Sequence, residues 1–215
     1  MTECDQRLQE LTNAVLAGDP EQTRQKTNAA LAKATPNEVL DAVVEGVNIL
    51  LDLNELGGAD ASRLAGAEGA INACLQILDP TLSKSESKFD FTATVGPIGL
   101  EWGHLLSMSV AAVLRSVGIK ASTLNKTKTA LELLRNSEEL RADIVLPLLP
   151  KDDVEAQLSS LKDEIDRGGF SNRFHVIPVC RNLPESIVSP LNVARNVDEA
   201  VSKALEWAIK NSVEA

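Results

Sequence analysis

The stretch "TVGPIGLEWGHLL", residues 94–106, decides the fold. A run that reads as a strand ends in Gly96, Pro97 and Gly99. A helix follows, carrying Glu101, Trp102, Gly103 and His104. Strand, glycine turn and helix in that order open a doubly wound α/β fold. Such a fold receives ligands just beyond the carboxyl ends of its strands.

Toward the C-terminus the same alternation continues. "FDFTATVGPI" (89–98) predicts a strand, 101–117 a helix ending at Gly118, and "IKASTL" (119–124) a second strand. Residues 128–141 predict a helix, "ADIVLPLL" (142–149) a buried strand, and 152–167 a helix closed by "RGG". "FHVIPVC" (174–180) and "SIVSPL" (186–191) predict the last strands, and 197–211 the last helix. Strands alternating with helices give a Rossmann-like, flavodoxin-like α/β domain with five parallel strands covered on both faces.

Toward the N-terminus the period is helical only. Leu8, Leu11 and Val15 share one face of a first helix, which "AGDP" ends: Gly18 suits a left-handed turn, Asp19 a cap and Pro20 a first turn. A second helix follows to about Lys33. Thr35 and Glu38 have capping-box spacing, with Pro36 at the first helical position. Val39, Leu40, Val43, Val44, Val47, Leu50 and Leu51 then form a broad apolar stripe. A fourth helix, about 61–78, is rich in Ala and Gly and so can approach its neighbours closely. These four make a small bundle. "DPTLSKSESK" (79–88) is polar and aperiodic, which predicts a bundle over 1–80, a linker over 81–88 and the α/β domain over 89–215.

Composition narrows the function. Of 215 residues 44% are hydrophobic and only 3% aromatic, so the core is aliphatic and base stacking is a poor mode of action. A net charge of −10 argues against nucleic acid as a partner. Cys4, Cys74 and Cys180 are odd in number and far apart, which excludes a disulfide framework and a structural zinc site and fits a reducing, cytoplasmic setting. The opening residues are acidic and polar, which predicts no cleaved leader. No apolar run reaches the ~20 residues of a membrane span. There is no Walker A, "GPIG" is not G-x-G-x-x-G, and no Ser-His-acid elbow appears.

The layout and several segments resemble the corrinoid proteins, which carry a methyl group on cobalamin and are similar to the cobalamin module of methionine synthase. The segments are "AVLAGDPEQTRQKTNAALAKATPNEVLDAVVEGVN", "AINACLQILDP" and "VAAVLRSVGI". The resemblance covers essentially the whole chain. It implies a cobalamin-binding, cofactor-carrying subunit that serves methyltransferase proteins on the donor and acceptor sides, without catalysing on its own. It leaves a homodimer open.

The family's signature is D-x-H-x-x-G. Its His binds cobalt from below in place of the cofactor's own benzimidazole, its Asp orients the His, and its Gly leaves room for the nucleotide tail. Aligned without gaps from "LRSVG", Glu101 falls at the Asp position, Gly103 at the His position and Leu106 at the Gly position. Gly96 matches a glycine ending the first strand. The family's S-x-L reads Pro147-Leu148-Leu149 here, and its paired glycines fall near Val179, Cys180 and Arg181. The resemblance thus implies base-off cobalamin without the usual lower His.

Residue by residue, two readings stand side by side. His104 is either an axial metal ligand shifted by one residue, which is ~100° of helical rotation, or a histidine at a helix start. Glu101 either accepts a hydrogen bond from His104 or a cofactor, or complements the helix dipole. Trp102 either covers a ligand face or fills its absence. Thr92, Thr94, Ser107 and Ser109 are candidate donors to a cofactor's amides or phosphate, and Ser107 and Ser109 equally satisfy their own helix backbone. Gly99 belongs to the turn, Leu148 and Cys180 to the strand ends, and Arg181 suits a phosphate. Asn125 and Lys126 follow the second strand. His175 reads as structural. Leu53, Asn54 and Leu56 in the bundle stand where the family covers the upper corrin face. The competing function is a regulatory or interaction module of the same ancestry that binds another tetrapyrrole, haem with His104 as ligand, or no cofactor.

Overall fold

A computed structural model of the chain describes residues 2–82, 89–125, 127–150, 152–181, 183, 189 and 191–212. Two compact units divide it, Met1–Glu86 and Ser87–Ala215.

The first unit holds four helices: α1 (Glu3–Ala17), α2 (Pro20–Leu31), α3 (Pro36–Glu55) and α4 (Ala61–Leu82). Gly18 ends α1 in the left-handed region at φ 67°, where a side chain is disfavoured. Asp19 caps α2 by accepting from the Gln22 amide at 2.9 Å. Thr35 and Glu38 close the capping box of α3, with the Glu38 carboxylate accepting from the Thr35 amide at 2.7 Å. All seven residues of the α3 stripe are buried. The small residues of α4 serve close approach: a Cβ on Gly66 would lie 2.5 Å from the Gly18 carbonyl oxygen. Helix α4 continues to Leu82, four residues beyond the end that the sequence predicts for it. Pro80 falls within its last turn, and Leu82 is buried.

The second unit carries β1 (Thr92–Pro97), α5 (Gly103–Ser116), β2 (Lys120–Thr123), α6 (Ala130–Glu139), β3 (Ile144–Leu149), α7 (Val154–Arg167), β4 (His175–Val176), β5 (Val179–Cys180) and α8 (Val197–Ser212). The sheet is parallel, in the order β2-β1-β3-β4, with β5 also on β3. Pairs Ile144↔His175 and Leu149↔Cys180 keep one register, so β4 and β5 are two ends of a single strand. The regular pairing lapses at Ile177–Pro178, although the Ile177 amide still donates to the Val145 carbonyl at 2.9 Å; the Pro178 carbonyl faces the other side and accepts from the Ala194 amide at 2.7 Å. A parallel bridge from Val179 to Ala194 supplies the next position. The short strand expected at 186–191 falls largely outside the described residues.

Helix α5 packs on β1 and β2 and meets α8, while α6 meets α7 across the other face. Leu133 and Leu134 of α6, Val145 of β3 and Leu161 and Ile165 of α7 form one apolar cluster with Phe170 and Phe174. On the α8 side, Trp207 takes Phe91 edge-on at 5.0 Å and stacks on His175 at 5.7 Å.

Candidate functional site

The order β2-β1-β3 places the reversal of strand order between β1 and β3, and the crevice of such a sheet opens there, at the carboxyl edge. Three backbone or hydroxyl bonds fix that edge. The Ile98 amide donates to the Leu148 carbonyl at 2.9 Å, the Leu124 amide to Val95 at 2.8 Å, and the Thr127 hydroxyl to the Pro97 carbonyl.

Gly96, Gly99, Glu101, Trp102, Gly103, His104 and Ser107 all lie on β1, its loop or the first turns of α5. Gly99 turns the chain at φ 64° and, like Glu101, is exposed. Trp102 is half-buried and its indole tilts over the His104 imidazole, centroids 5.7 Å apart. His104 is half-buried, with its Nε2 out of water. Leu148 and Cys180 are fully buried at neighbouring strand ends, and Arg181 follows, half-buried. The structure thus gathers the sequence-derived residues at one edge of one sheet. Lys126 lies outside the described residues. Within the bundle, Leu56 is 83% exposed in the loop after α3.

The details matter more than the gathering. At Gly103, a Cβ would sit 2.4 Å from Pro97 Cβ and 3.0 Å from Leu100. The first residue of α5 therefore rests directly on the end of β1, and no side chain fits at the position where the resemblance expects a metal-binding His. Leu106 is 2% exposed, its side chain filling the place where the resemblance expects an opening. The Ser107 hydroxyl donates to the Gly103 carbonyl at 3.0 Å and the Ser109 hydroxyl to Leu105 at 3.1 Å, both buried. Each hydroxyl thus satisfies its own helix. Val179 and Cys180 are closed in turn, at 1% and 0% exposure. A lower His with a tail threaded beneath α5 does not fit these residues. Among the described residues no group of three or more His, Cys, Asp and Glu side chains could hold a metal ion.

Thr94 lies elsewhere than the sequence suggests for a donor at the edge. It is fully buried within β1, and its hydroxyl has no hydrogen-bond partner among the described residues. On that same face Gly96 abuts Leu133, a Cβ there falling 2.7 Å from Leu133 Cδ1.

A cavity of about 360 Å³ opens above the α6–α7 face, lined by Ile98, Lys128, Thr129, Pro150, Gln157 and Ser160 among others. The Gln157 carboxamide donates to the Asp152 carbonyl at 2.7 Å, and its oxygen is buried without a partner. None of Lys128, Thr129, Gln157 and Ser160 stands out in the sequence. Each reads as an ordinary polar residue at a helix start or on an outward face. Its walls come from the β1–α5 loop, the start of α6, the end of β3 and α7.

No helix among the described residues is long and apolar enough to cross a membrane. No family model matches the sequence, and no curated protein matches it. Solved structures do. The Methanosarcina barkeri monomethylamine corrinoid protein superposes with a TM-score of 0.68 at 16% identity, covering 94% of this chain and 99% of that one. A cobalamin-binding protein from Desulfitobacterium hafniense DCB-2 gives 0.50 at 15% identity, covering 96% and 99%. Helical bundle, parallel sheet and their order along the chain therefore make this the fold of the corrinoid proteins over nearly its whole length.

Proposed function

We propose that the chain is a corrinoid-binding protein that carries a methyl group on cobalamin between methyltransferase partners, without the usual histidine beneath cobalt. The observation that carries this reading is the extent of the likeness: both the bundle and the sheet match, over 94% of this chain and 99% of a corrinoid protein. Cobalamin supplies the reactive cobalt. The chain supplies the carboxyl edge of the sheet as a seat for the ring. Glu101 and Gly99 are open to solvent there, and Trp102 and His104 stand beside them. With Gly103 bare and packed, His104 is the one imidazole in that loop and would be the side chain there able to meet a base-off corrinoid.

An absorbance titration of the protein with hydroxocobalamin, for the natural chain and His104→Ala, tests this. Retained corrinoid whose bands shift on removing His104 supports ligation. Retained corrinoid with unchanged bands leaves water below. No retention ends the carrier reading.

A second reading draws on the packing of Gly103 and Leu106. A chain of this ancestry with its tail slot filled serves as a regulatory or interaction module, holding haem through His104 or no cofactor. Loss of hydroxocobalamin on gel filtration, with a Soret band gained from haem, favours it.

A further inference from the structure

Resting on the carrier reading, we infer that the chain grips the corrin ring alone and leaves the nucleotide tail outside the protein. A corrinoid without ribose, phosphate and benzimidazole is then held about as tightly as complete cobalamin.

The inference comes from the layer between β1 and α5, which is closed among the described residues. Gly103 touches Pro97 and Leu100 so closely that even a methyl group would collide. One turn on, Leu106 occupies the interior at 2% exposure, with Leu105 at 0% beside it. The two α5 hydroxyls at this layer are already engaged, Ser107 on the Gly103 carbonyl and Ser109 on Leu105. From the neighbouring strands, Leu148 and Val179 are at 0% and 1% exposure and give no opening. On the opposite face of β1, Gly96 is packed against Leu133 and Leu124. Admitting a benzimidazole would require α5 to lift from the sheet and expose packed aliphatic surface, which opposes binding.

A tail buried in the protein adds a bicyclic aromatic group and a phosphate to the contact. That is worth about a hundredfold or more in affinity, by the area such a ring removes from water. A tail left in solvent adds close to nothing.

Full-length protein is titrated in parallel with hydroxocobalamin and with diaquocobinamide, followed by absorbance. The expected dissociation constants differ by less than about tenfold. A preference of about tenfold or more for cobalamin puts the tail in a protein pocket, the cavity beside Gln157 included, and overturns the inference while leaving the carrier reading intact. Retention of neither corrinoid removes the carrier reading, and this inference with it.

Discussion

Single residues carry the sharpest consequences. Adding a methyl at Gly103 forces it within 2.4 Å of Pro97, so Gly103→Ala is expected to cost about 1–3 kcal/mol and lower the thermal midpoint in calorimetry. The thiols divide by burial. Cys74 is buried in α4 and burial pushes its thiol up to about 11; Cys180 is fully buried, and Cys4 is part-exposed. A thiol reagent on native protein is expected to label Cys4 alone, and all three after unfolding. Burial also lowers the His175 imidazole, stacked on Trp207, below its ordinary value. As the pH falls the unfolded chain therefore takes up its proton first. Stability is level above about pH 6.5 and drops below it, down to the folded value. Thermal midpoints between about pH 7.5 and about pH 5.5 check this, and His175→Gln should shrink the drop.

Elements were legible where their determinants are local. Thr35 and Glu38 are three residues apart, so the spacing alone states the cap. Thr35→Ala is expected to cost about 1 kcal/mol, measured by denaturant unfolding. The α3 stripe was legible for the same reason, since helical period is a property of consecutive residues. The end of α4 was not. A proline in a polar stretch reads as a break, yet Pro80 sits in the last turn and Leu82 beyond it is drawn inward by packing. The bridge from Val179 to Ala194 was not legible either, since it depends on which backbone happens to pass beside the strand. The site shows the same division. That glycines and His104 gather at a strand end could be read from the order of strand, turn and helix. That Gly103 rests on Pro97 could not, because it depends on the angle at which α5 leaves β1. Gln157 gives no sequence signal at all, since a polar residue on α7 looks the same whether its oxygen meets water or not.

At the scale of the whole molecule, the excess of acidic side chains predicts that heparin and nucleic acid fail to retain the protein at low salt. A heparin column checks this, and retention would contradict the reading of the charge. The sheet itself has a further consequence. One margin is β2, four residues long, beginning with Lys120 in an ion pair with Asp90. At the other margin, among the described residues, the lattice of backbone bonds narrows to the single step at Ala194. Among the described residues neither border offers a foreign chain the long, flat row of amides that edge-to-edge polymerisation needs. Concentrated protein held warm should therefore cloud, if it does, as amorphous precipitate and not as thioflavin-positive fibre.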